Sequence, residues 1–88
     1  GALEYYKSIG KEHYFIYDEV YNFVNGFAAV KIDGKGWNFI DTKGELLWDK
    51  DEWFDNAWNF HNGFALVKYK DYWYKLNSQG ELCDIEGN

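Results

Sequence analysis

The stretch from Phe23 to Leu46 reads F-V-N-G-F-A-A-V-K-I-D-G-K-G-W-N-F-I-D-T-K-G-E-L. It is written again from Phe60 to Leu82 as F-H-N-G-F-A-L-V-K-Y-K-D-Y-W-Y-K-L-N-S-Q-G-E-L. This duplication constrains the fold more than any other feature. Units repeated at such a period stack, because each cannot bury its apolar face alone. Phe23 falls on Phe60, Asn25 on Asn62, Gly26 on Gly63, Phe27 on Phe64 and Ala28 on Ala65, an offset of 37 residues. One residue is then missing from the second copy. Beyond it Trp37 falls on Trp73, Gly44 on Gly80 and Leu46 on Leu82, an offset of 36. The match extends upstream to Asp18 on Asp55 and Asn22 on Asn59.

Turn chemistry divides each copy into strands. Asn25-Gly26 and Asn62-Gly63 suit a two-residue type I′ hairpin turn, since both residues tolerate φ > 0. The strand that follows alternates. Ala28, Val30 and Ile32 share one face, as do Ala65, Val67 and Tyr69. The repeated alanine marks close packing between layers. Asp33-Gly34-Lys35-Gly36 turns the chain again, with Lys70-Asp71-Tyr72 as the shorter equivalent. Trp37 to Ile40 and Trp73 to Leu76 form the next strand. Phe39 aligns with Lys75, so this position is expected to tolerate charge near the surface in the second copy. Asp41-Thr42-Lys43-Gly44 and Asn77-Ser78-Gln79-Gly80 fit a turn capped by the first side chain and closed by an αL glycine. Glu45-Leu46-Leu47 and Glu81-Leu82-Cys83 begin a third strand. Each copy thus reads as a three-stranded antiparallel meander, and the chain as an all-β array of stacked meanders. The aromatic lead-ins, Tyr14 to Phe23 and Trp53 to Phe60, alternate loosely and suit short extended pieces. Asp18 and Asp55 are expected to cap backbone donors in a turn.

The F-x-N-G-F-A-x-V block, the following Trp, and then I-D-T-K-G or L-N-S-Q-G resemble the WG-repeat family, also called KWG repeats, found mainly in bacterial proteins. The resemblance covers roughly residues 17 to 83. It implies an all-β array with a ligand- or protein-binding role, and no catalytic residues. This chain departs from the family where Asn38 and Tyr74 stand in place of the Gly after Trp, so the close approach that Gly allows is not expected there. On this reading repeat 1 spans residues 17–47 and repeat 2 residues 54–83. Residues 3–12 form a partial preceding copy, with Gly10 on Gly44 and Ser8 on Thr42. All three lie in one domain over residues 1–88.

Composition bounds the function. Eighty-eight residues bury a modest share of their surface, and five Trp, eight Tyr and seven Phe compensate. Met is absent. Gly1 therefore reads as a cleavage scar, and the chain as a segment cut from a longer protein. A net charge of −6 argues against nucleic acid and anionic membrane surfaces, which need clustered Lys and Arg. No apolar run approaches the roughly 18 residues of a membrane span. Cys83 is the single cysteine, so no internal disulfide framework exists.

The chain offers little for catalysis. His13, His61, Cys83, Ser8 and Ser78 show no triad spacing. Two His and one Cys do not make a zinc site, and the D-x-D in Asp49-Lys50-Asp51-Glu52 lacks the spaced oxygens and Gly of a calcium loop. No metal or cofactor is expected. The rings divide into two sets. Those at Phe23/Phe60, Phe27/Phe64 and Trp37/Trp73 recur and are expected in the core or between repeats. Trp48, Trp53 and Tyr72 have no aromatic counterpart, and Trp58 meets only Tyr21. These four are the candidate contact residues, with Trp48 and Tyr72 foremost, while Trp53 more readily caps the core. The expected role is a non-catalytic module that binds a protein or peptide, or a structural segment of a larger array. Carbohydrate binding through exposed Trp and Tyr is the alternative, and paired-carboxylate glycoside hydrolysis the least supported. An open sheet edge also allows self-association by strand addition.

Overall fold

A computed structural model describes residues 17–85. The partial copy over residues 3–12, together with His13 and Tyr14, lies outside the described residues. The rest is all-β, as the repeat implied. Strands β1 (Glu19–Val20), β2 (Phe27–Ile32) and β3 (Gly36–Asp41) form one antiparallel sheet. Strands β4 (Asn56–Ala57), β5 (Phe64–Tyr69), β6 (Tyr72–Asn77) and β7 (Leu82–Cys83) form the second. The lead-ins supply β1 and β4, each a short strand beside the first long strand of its own sheet. The third strand is a two-residue ladder in copy 2. In copy 1 it shrinks to a single bridge between Ile40 and Leu46.

The turns follow the sequence chemistry. Asn25 and Gly26 lie at φ 54° and 90°, Asn62 and Gly63 at 52° and 87°, the positive pair a type I′ turn requires. The flanking residues exchange backbone bonds, Val24 with Phe27 and His61 with Phe64. Asp41 Oδ1 accepts from the Lys43 and Glu45 amides at 2.9 Å, and Asn77 Oδ1 repeats this with Gln79 and Glu81. Gly44 and Gly80 close those turns at φ 82° and 83°. Asp18 and Asp55 also act as caps, but for a distant turn. Each carboxylate reaches across to the next hairpin tip, accepting from the amides of Asp33 and Asp71 respectively.

The two sheets share one apolar core. Ala28, Val30, Asn38 and Ile40 face it from the first sheet, and Ala65, Val67 and Leu76 from the second. Ala28 and Ala65 are both fully buried, as close packing between layers required. The second copy's lead-in then crosses the first copy. Phe54 exchanges two backbone bonds with Trp37, at 2.8 and 3.0 Å. A Cβ on Gly36 would lie 2.5 Å from the Phe54 carbonyl oxygen, so Gly36 is what admits that backbone. Gly80 performs the same service against the Leu47 carbonyl. The close approach missing after the Trp is thus supplied one residue before it.

Two expectations need correcting, and a third position differs between the copies. Trp48 lies inside, 6% exposed, between Phe54 and Tyr69. Its indole N–H donates to the Glu52 carbonyl at 2.8 Å. The Phe39 position is split between the copies: Lys75 lies half-buried on an open face as expected, whereas Phe39 is fully buried against Phe60. The recurring rings are not all buried: Phe64 and Trp73 are each 39% exposed and Phe23 is 37% exposed. The reason is positional. For Phe64 and Trp73, the place covered by the following repeat in copy 1 has no following repeat over it, among the described residues, in copy 2; Phe23 differs from Phe60 in the other sense, because Phe60 is the ring laid over copy 1.

Candidate functional site

Among the described residues, both faces of the first sheet are covered, and only one face of the second. On the outer face of sheet one, Ala29 is 3% exposed and Phe39 is buried. Phe60, from the second lead-in, lies over them. Its ring stacks on Phe27 at 4.4 Å between centroids and meets Phe39 edge-on at 5.0 Å. Asn25, held at positive φ by its turn, donates through Nδ2 to the Phe60 carbonyl at 2.8 Å. One ring and one side-chain hydrogen bond thus hold copy 2 on this face of copy 1, beside the Trp37–Phe54 backbone pair.

The same places on sheet two are open. Leu66, aligned with Ala29, is 44% exposed. Lys75, aligned with Phe39, extends its amine over the Phe64 ring at 5.2 Å. Trp58, His61, Asn62, Phe64, Leu66 and Lys75 line a depression of about 320 Å³. A second depression, of about 330 Å³, lies on the other side of Trp58, against Tyr21, Ala29, Trp37 and Ala57. Large apolar side chains grouped in this way on a surface mark a contact site more often than isolated ones do. Neither depression is lined by a carboxylate.

The four sequence candidates separate. Trp58, at 61% exposure, stands between the two depressions. Tyr72, at 69%, sits at the tip of the β5–β6 hairpin and lines neither. Trp53 is 6% exposed and lies under the Lys35 amine, 5.1 Å from its ring centre, as a cap on the core. Trp48 and Trp53 border a smaller hollow of about 200 Å³ beside Lys35 and Asp51. The structure thus joins Trp58 to Phe64, Leu66, Asn62 and Lys75, which the search for unrepeated rings overlooked. The signal that could have found them was present in the alignment. Leu66 and Lys75 differ in size or charge from Ala29 and Phe39, at positions that otherwise copy one scaffold.

Charge near the site is sparse. Tyr21, which packs edge-on to Trp37, donates its hydroxyl proton to Glu19 at 2.7 Å. That hydrogen bond holds its pKa above the ordinary tyrosine value, with small additions from desolvation and the Glu19 charge. Among the described residues no three His, Cys, Asp or Glu side chains gather to hold a metal ion. No helix there is long and apolar enough to cross a membrane.

A family model described as the WG containing repeat matches the chain twice, over residues 14–35 and 54–73. No curated protein and no solved structure matches it significantly.

Proposed function

We propose, for a chain that carries two WG repeats, that it is a non-catalytic recognition module whose contact surface is the outer face of the second repeat. One observation carries this reading. Leu66, Phe64 and Trp73 are exposed, whereas Ala29 and Phe27 in the first repeat lie under Phe60. An apolar sheet face of this kind suits a protein or peptide, which can bury several side chains at once. The absence of carboxylates from both larger depressions speaks for binding rather than hydrolysis. Trp58 gives a second reading its own support, because an exposed indole can also stack on a sugar ring.

The two readings separate in one experiment. A random peptide library and a glycan panel are screened against the protein, its Leu66→Asp variant and its Trp58→Ala variant. Leu66 is half-exposed, so the aspartate leaves the core intact. Peptide hits lost on Leu66→Asp are expected. Glycan hits alone, lost on Trp58→Ala, would replace the protein-binding reading with the carbohydrate one. Turnover of any glycan would overturn both.

A further inference from the structure

We infer that the depression over Phe64 and Leu66 is a seat for the phenylalanine ring of an extended segment of another protein, with Asn62 holding that segment's backbone. This deepens the binding-module reading and rests on it. The inference comes from the junction inside the molecule. In copy 1 the equivalent seat is filled. Phe60 stacks on Phe27, meets Phe39 and offers its carbonyl to Asn25. In copy 2 the floor and the side-chain donor recur at their aligned places, and the Phe39 wall does not. Phe64 replaces Phe27 as the floor. Asn62 replaces Asn25, with φ 52° against 54°, so its side chain starts from the same backbone pose. The seat itself is an open volume of about 320 Å³, flanked by Trp58 and Lys75.

Two differences decide what enters. Lys75 replaces the Phe39 wall with a flexible cation on a long apolar stem, which can cover a ring while its amine meets a backbone carbonyl. Tyr72 stands at the register position of Gly36, opposite Tyr69 as Gly36 is opposite Ile32. Gly36 admits the passing backbone of Phe54 because it lacks a side chain and lies at φ 122°, and Tyr72 shares neither property. A complete third repeat, or a second copy of this chain, would need that passage. A short extended segment needs only the ring seat and the Asn62 bond. The occupant is therefore a linear peptide segment of a partner protein, with an aromatic residue, a polar residue and Phe in succession, as in Trp58-Asn59-Phe60.

The probe is the hexapeptide Ala-Trp-Asn-Phe-His-Asn, the sequence of residues 57–62, titrated onto the intact protein. Calorimetry and amide shifts at Leu66 and Lys75 are read together. Saturable binding is expected, weakened at least about tenfold when the peptide Phe becomes Ala, since a ring in a central pocket carries much of such an interface. Asn62→Gly keeps the positive φ and removes only the side-chain donor. It should weaken binding several-fold, the worth of one hydrogen bond. Leu66→Asp should abolish it. No saturation at millimolar peptide, or an affinity indifferent to the Phe→Ala change, would overturn the inference. If library peptides were still lost on Leu66→Asp, the binding face would stand without the phenylalanine seat. Concentration-dependent self-association that disappears in Leu66→Asp would give the seat to a second copy of this chain, and would equally overturn the proposal.

Discussion

Asn38 is fully buried, and among the described residues it is the buried polar side chain. Its Nδ2 donates to the Trp48 carbonyl at 2.9 Å, and its Oδ1 accepts from the amides of Phe39 and Trp48 at 2.7 and 3.1 Å. That set of bonds ties the irregular segment after Leu46 to β3, where copy 1 has one bridge and copy 2 has a ladder. Asn38→Leu keeps the branched shape but strands the Trp48 backbone groups, so it should destabilise by about 2–3 kcal/mol in denaturant unfolding. Ala28→Leu should cost about 1–3 kcal/mol through overpacking. Phe39→Lys should cost more, about 3–5 kcal/mol, because it removes a buried ring and brings in a charge. The reverse exchange, Lys75→Phe, should lie within about 0.5 kcal/mol of neutral. Equal midpoints for Phe39→Lys and Lys75→Phe would contradict the assignment of a covered and an open face. The repeated residues were legible in sequence because both copies share their local chemistry. Phe39 and Trp48 were not, since their burial depends on which copy lies beside them.

At the scale of elements, the hairpins were the legible part. Asn-Gly pairs and the Asp41 and Asn77 turns fix strand ends by local φ and local hydrogen bonds, which a sequence displays directly. The crossing of β3 by the second lead-in was not legible, because it depends on a backbone contact between residues far apart in sequence. Gly36 and Gly34 separate those causes. Both have positive φ, at 122° and 83°, but only Gly36 has a neighbour, the Phe54 carbonyl. Gly34→Ala should cost about 1 kcal/mol, the strain of a left-handed non-glycine residue. Gly36→Ala should cost at least about 2 kcal/mol, because the strain is joined by a clash with rigid backbone. Thermal or denaturant midpoints of the two variants test that order.

At the scale of the whole molecule, two copies of one pattern are asymmetric. Copy 1 is sealed by the lead-in of copy 2, through the Phe60 ring, the Asn25 bond and the Trp37–Phe54 pair. Copy 2 repeats the ring floor at Phe64 and the donor at Asn62, and among the described residues no lead-in crosses them. The backbone carries the plainest mark of this. The Lys68 carbonyl turns away to the Asp55 amide, so the Lys68–Trp73 pair exchanges no backbone bonds and Trp73 faces the outer edge. Trp37 faces the same way and is bonded to Phe54. Amide hydrogen exchange of the free protein reads both residues at once. The Trp37 amide should exchange slowly, with the protection of the buried sheet, and the Trp73 amide at a rate near that of an open strand edge. Equal protection at the two tryptophans would contradict the account, because it would mean that the second face is covered in solution as the first one is.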